Sequence, residues 1–598
     1  MANYNVNNTT VNSLLSLIDE KKIAIPEIQR PFVWKSAKVR DLLDSLFNDY
    51  PVGYIITWRN PDARLKNGHL SEGKTILIDG QQRVTALMAA ISGNKIVDKK
   101  YNKKNINIAF DPINEIFEVS NPAIRKDKRW IPDISFIFSE RFNLFDYVEE
   151  YCEKNPEIGR NQLSKILHKL ESIKHSSIGV IELSHALDIE EVTEIFIRIN
   201  SAGVALSQAD FAMSKISVND EFNGPVIRKT VDYFANIISH PASYEHIQSN
   251  DKEFTNTQNF RYISWVKNYN SGIYEPSYTD ILRVAFTFKF LRGRLSDLVS
   301  LLSGRDFETR DYKKVIEEES FNDLHDAVLQ FVNQTNFKQF VTIIKSAGVV
   351  HNKLVRSKNT LNFAYALFLL LKDKGINTPV INKVVRKWFV ISILTERYSS
   401  SPESQFDYDI KRFADAENPE DYVKRIEQGE LSSAYWNTIL PDNFETSVRS
   451  SPYFNLFVMA QVYLKDYAFL SNSVTVQHLI EERGDIHHIF PKRYLQKNGY
   501  NRRGVYNQIA NYAYTEQPVN LKIKAQPPKE YMGWIMDQLD NESFTLGEIN
   551  DSEKLKENMR MNAIPTSLSS MDVDDYEDFL VERRKLMADK IKEYYNKL

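Results

Sequence analysis

Cysteine is all but absent: Cys152 is the only one in 598 residues. That excludes internal disulfides and thiolate zinc clusters, and it fits a reducing compartment. Long apolar runs are missing too. The longest, residues 363–371, is far shorter than the ~20 residues a membrane-spanning helix needs. The polar start, Met-Ala-Asn-Tyr-Asn-Val-Asn-Asn, has no signal-peptide core, so a cytoplasmic protein with no membrane partner is expected. Nor is there an overall basic field, since the formal net charge is −3 at pH 7. This argues only weakly against DNA, because a large enzyme needs basic patches and not a basic average. No internal repeat or low-complexity tract is evident.

What is present is ordinary globular composition, 42% apolar and 26% charged, in a chain too long for one hydrophobic core. Short helices and strands alternate at first. Helices are expected over 11–19, 35–48 and 82–91, and β-rich runs over 54–58, 75–78 and 180–183. Residues 189–199 read as an amphipathic helix. Basic loops are expected at 99–104 and 125–129. From about 215 to 440 apolar residues recur at helical spacing, notably over 281–291, 321–335, 361–372 and 381–394, without any chemical motif. The chain ends in helices such as 575–594, with the acidic run 572–578 at a solvated helix start.

One cluster carries chemistry: Asp485-Ile486-His487-His488-Ile489-Phe490-Pro491, followed by Asn511 and Asn520. Phosphodiester cleavage needs an activated water, neutralisation of the phosphorane charge and a stabilised leaving oxygen. A neutral imidazole can do the first, and one divalent ion the other two. Neighbouring side chains on a strand point to opposite faces, so adjacent histidines can hold different tasks. The stretch resembles the D-x-[DH]-H-x-x-P strand of the HNH endonuclease superfamily, and Asn511 to Asn520 its N-x8-[NH] continuation. That resemblance implies a ββα-metal fold with His487 and Asn520 as metal ligands and His488 as general base. Asn511 would order the loop. An amide oxygen at 520 favours magnesium or manganese over zinc. Lys492, Arg493, Arg502 and Arg503, with Lys522 and Lys524, suit phosphate contacts beside a scissile bond.

A second segment, Thr75-Ile-Leu-Ile-Asp79-Gly80-Gln81-Gln82-Arg83-Val84-Thr85, reads as a strand turning into a helix. Gly80 permits a sharp turn, the helix offers an electropositive N-terminus, and Arg83 adds a bidentate cation. Upstream stands Ile25-Pro26-Glu27-Ile28-Gln29-Arg30-Pro31-Phe32-Val33-Trp34. Downstream stands Glu194-Ile-Phe-Ile-Arg-Ile-Asn200-Ser-Ala-Gly-Val-Ala-Leu-Ser207. In this order the three elements resemble the N-terminal domain of GmrSD-type modification-dependent (type IV) restriction enzymes, which is related to the ParB and sulfiredoxin fold. The resemblance assigns Asp79, Gly80, Gln81, Gln82 and Arg83 to a nucleotide, GTP or ATP, with Gln29, Arg30 and Asn200 lining the same pocket. Phe32 and Trp34 are candidates for a recognition surface, although aromatic residues are more often core.

The expected architecture is α+β and multidomain. A ParB/sulfiredoxin-like α/β domain is expected over 1–215, a largely helical spacer over 216–444 and a ββα-metal HNH domain with helices over 445–598. The expected function is a nucleotide-regulated, metal-dependent DNA endonuclease or nickase in antiphage defence. Its expected partners are double-stranded, modified phage DNA, a nucleotide and, for paired cuts, a second copy of the chain. The alternatives are a ParB-like DNA clamp with a vestigial nuclease site and a sulfiredoxin-fold phosphotransferase.

Overall fold

The computed structural model describes residues 4–20, 22–24, 34–59, 75–97, 103–184, 186–187, 207–482, 486–541 and 544–598. They belong to two compact units, residues 1–268 with 295–325 and residues 269–294 with 326–598. The segments expected from sequence divide the chain differently. The expected boundary at 215/216 falls inside the helix Gln208–Val218, and the helical middle is shared between both units.

In the first unit the chain opens with β1 (Tyr4–Thr10), α1 (Val11–Asp19), β2 (Ile23–Ala24), α2 (Ser36–Phe47), β3 (Tyr54–Arg59), β4 (Thr75–Asp79) and α3 (Gln81–Ile91). With β5 (Ser177–Leu183) the strands form one mixed sheet in the order β1-β5-β3-β4-β2. β3 is central, antiparallel to β4 and parallel to β5. Its position explains its composition: Ile55, Ile56, Thr57 and Trp58 are all buried, as a strand covered on both faces requires. Leu14, Val39, Leu43, Val84 and Leu87 project from α1, α2 and α3 at helical spacing and pack with Ile55 and Leu77 on one side of the sheet.

β5 is longer than its expected core at 180–183, because its first residues continue the pairing with β1 and β3. The expected helix at 189–199 lies outside the described residues. Ser207 and Asp210 exchange hydrogen bonds at the start of Gln208–Val218, a capping box that fixes where this helix begins. Of the basic loops, Lys103–Lys104 is a short strand paired with Ile96–Val97, and Arg129 is tied to Asp127 at 2.8 Å.

The second unit is mostly helical. Thr360 through Leu371, within the helix Lys358–Asp373, are all buried, so the longest apolar run of the chain is a core helix. Among the described residues no helix is long and apolar enough to cross a membrane. The helix expected over 321–335 ends earlier, at Val332. Asn333 leaves it and caps the next helix, accepting from the Thr335 and Asn336 amides. Toward the C-terminus this unit carries a two-stranded hairpin, β6 (Ile486–His488) and β7 (Tyr512–Tyr514), then α4 (Gln517–Ile523) and, at the end of the chain, α5 (Tyr576–Asn596).

Candidate nuclease centre and the N-terminal turn

β6 and β7 pair antiparallel, with His487 opposite Ala513 and His488 opposite Tyr512. Consecutive side chains leave β6 on opposite faces, so the two imidazoles enter different surroundings. His487 is 2% exposed, with its ring stacked on Phe469 and edge-on to Tyr531. Its Nδ1 lies 2.8 Å from Asn520 Oδ1, one turn into α4. Burial pushes its pKa down to about 4; the Asn520 contact opposes this, and the charges of His488 and Arg583 add to it. His487 is therefore neutral at physiological pH, the state a metal ligand must have.

His488 is half-buried, and its Nε2 lies 3.0 Å from Asn507 Oδ1. An amide oxygen only accepts, so Nε2 carries the proton and Nδ1 keeps the lone pair. Burial lowers this imidazole below its ordinary value, with Asn507 opposing and Lys492 contributing. Asn511 is fully buried and takes no part in this surface. Its Oδ1 accepts from the Phe490 amide at 2.8 Å, while its Nδ2 donates to the carbonyls of Phe490 at 3.0 Å and Tyr506 at 3.3 Å. It thereby ties the segment after β6 to the segment before β7.

The expected ligand pair suits a hard cation. Two cis donors on an octahedral ion with bonds of ~2.1 Å stand about 3 Å apart, and Nδ1 and Oδ1 are already 2.8 Å apart. Asn520 is the half-buried member and forms the open side of the pair. Ligation through Nδ1 would move the imidazole proton to Nε2, which is buried and has no hydrogen-bond partner among the described residues. That cost would loosen the hold on any ion bound there. Among the described residues no group of three His, Cys, Asp or Glu could hold a metal, and Asp485 lies outside them. Lys492, Arg493, Arg502, Arg503, Lys522 and Lys524 are all exposed. The Lys522 ammonium is bonded to the Thr545 carbonyl.

In the first unit, β4 ends at Asp79 and Gly80 turns the chain into α3 with φ of 94°. A Cβ there would stand 2.5 Å from Ile55 Cγ2, so both the dihedral and the packing demand glycine. Gln81 donates to the Leu77 carbonyl at 3.1 Å, and Arg83 to the Tyr54 carbonyl at 2.7 Å. Burial lowers the Arg83 pKa, and the charge of Asp79 opposes it. Asp79, Gln81, Gln82 and Arg83 are thus gathered, half-buried, at one end of the sheet. Gln29, Arg30, Phe32 and Asn200 lie outside the described residues. Trp34 packs against the α1–α3 core, with Lys38 over its ring at 5.4 Å, as a core residue would.

Residues 11–217 match the family model described as the GmrSD restriction endonuclease, N-terminal domain. That segment is GmrSD-like. The match covers the GmrSD turn at Asp79–Arg83 and stops short of the hairpin that carries the histidines. The chain as a whole is similar to an uncharacterized protein of Methanocaldococcus jannaschii, 23% identical over 97% of this chain and 98% of that one. The likeness to a restriction endonuclease thus covers the N-terminal segment, 11–217.

Sequence reasoning misses Asn507, Phe469, Tyr531 and Arg583. Asn507 has a faint signal as a further asparagine shortly before Asn511. The others come from distant segments and have none.

Proposed function

We propose that the chain is a nucleotide-regulated, metal-dependent HNH endonuclease or nickase that acts on invading, modified DNA. The observation that carries this reading is the pairing of two differently held imidazoles: His487 against Asn520, and His488 against Asn507. A divalent cation, magnesium or manganese, bound at His487 and Asn520 would supply charge neutralisation for the phosphorane and the leaving oxygen. His488 accepts a proton from water at Nδ1. Asn507 keeps that nitrogen unprotonated by engaging Nε2. Asn511 holds the hairpin in register without touching substrate. Exposed Lys492, Arg493, Arg502 and Arg503 take phosphates on the flanking duplex.

In the GmrSD-like domain, the α3 N-terminus with Asp79, Gly80, Gln81, Gln82 and Arg83 would hold the phosphates of GTP or ATP, with release of free phosphate. A ParB/sulfiredoxin-like relationship of this domain belongs to the same proposal. Regulation follows if nucleotide affinity differs between a cutting and a non-cutting state, since an unrestrained nuclease would damage its host.

Plasmid nicking with magnesium or manganese tests the reading: His488→Ala abolishes cutting while nucleotide turnover persists. Normal cutting by His488→Ala overturns the assignment. A protein that binds DNA but never cuts it would favour the ParB-like clamp, and transfer of γ-phosphate to protein would favour the phosphotransferase.

A further inference from the structure

We infer that Arg583, on the C-terminal helix, is a positioning residue of the nuclease centre; this rests on the nuclease reading above. Its guanidinium is fully buried, yet among the described residues its acceptors are all main-chain carbonyls. Nη1 donates to Ala510 O at 2.6 Å and Nη2 to Tyr512 O at 2.6 Å. Those two carbonyls stand on either side of Asn511. The remaining bonds, to Asn562 O at 3.2 Å and Ala563 O at 3.3 Å, anchor the fork to a separate turn.

Burying a cation away from any carboxylate is expensive, and stability alone would favour an apolar residue of similar size. Only a planar fork can fix two carbonyls two residues apart, and lysine, with its point charge, cannot reproduce it. What the fork fixes is the peptide geometry around Asn511, which in turn holds Phe490 and so the end of β6.

The same helix reaches the rest of this loop. Tyr576 donates to Val505 O at 2.9 Å, the Phe579 ring lies tilted against Phe490, and Arg584 bonds Gln508 Oε1 at 3.3 Å. Residues 505–512, which include both Asn507 and Asn511, are therefore held from α5. The helix at the end of the chain completes the centre, although its sequence carries no nuclease motif.

The test uses the full chain with two variants, Arg583→Lys, which keeps the charge, and Arg583→Gln, which keeps a planar donor. Tyr594→Phe serves as control, because it removes a bond from the far end of the same helix, to Ala347 O. Circular dichroism establishes folding, binding of Mn2+ alone is followed by electron paramagnetic resonance, and nicking gives kcat and KM. In the folded variants Mn2+ affinity and kcat each fall about 10–100-fold while KM for DNA stays the same, as loss of an outer-shell support does. Tyr594→Phe keeps wild-type kcat and Mn2+ affinity. Wild-type kcat and Mn2+ affinity in either folded Arg583 variant overturn this inference alone. A wild-type protein that neither binds Mn2+ nor nicks DNA overturns the nuclease reading, and this inference with it.

Discussion

Asn507 Oδ1 faces His488 Nε2 at 3.0 Å and so decides which imidazole nitrogen can act as a base. With the proton held on Nε2, the Nδ1 lone pair is available to water. Asn507→Ala releases the ring and lets both tautomers populate. Nicking kcat is expected to fall about 10–100-fold, with KM for DNA little changed. Asn507→Asp, which keeps an acceptor in place, is expected to retain more activity than Asn507→Ala.

The metal pair yields a separate expectation. Because ligation at Nδ1 would strand a buried N–H at His487 Nε2, an ion there would be weakly held and readily removed by a chelator. EDTA is expected to stop nicking at once, with full recovery on adding manganese. Asn520→Ala is expected to abolish cutting in magnesium, and Asn520→His to shift the preference toward softer ions such as zinc. These outcomes are read by nicking assays across a metal series.

His487 also links stability to pH in the metal-free protein. Its folded pKa of about 4 lies below the ordinary histidine value, so the unfolded chain binds the proton more readily. Stability is complete above about pH 6.5 and falls as the pH drops toward 4, by up to about 3 kcal/mol from this group. Denaturant melts in EDTA measure this. His487→Gln, which cannot titrate, is expected to flatten the dependence over that range.

At the other end of the chain, Gly80→Ala sets a Cβ against Ile55 at a residue with φ of 94°. A loss of about 1–3 kcal/mol in the first unit is expected, with nucleotide turnover abolished. Arg83→Ala is expected to leave folding nearly intact while removing turnover. Thermal melts and phosphate release separate the two effects.

How much of this is legible in the sequence depends on what sets each residue. The approach of His487 to Asn520 and of Asn511 to Phe490 is legible because a hairpin followed by a helix restricts the spacing of such a motif. The turn at Gly80 is legible because a positive φ between a strand and a helix nearly dictates glycine. The helices of the middle show in their apolar spacing, yet the break at Asn333 does not, since an N-cap inside a continuous pattern looks like one more polar position. Asn507 and Arg583 are chosen by reach in the folded chain. Arg583 meets Ala510 and Tyr512 only after α5 has packed, and nothing local to it signals that.

Anomalous diffraction from crystals soaked in manganese tests directly whether His487 and Asn520 share a metal ion. A manganese peak bonded to both His487 Nδ1 and Asn520 Oδ1 is expected, with His488 turned toward a water beside it. Crystals saturated with manganese that show His487 and Asn520 still bonded to each other, with no ion between them, would contradict it.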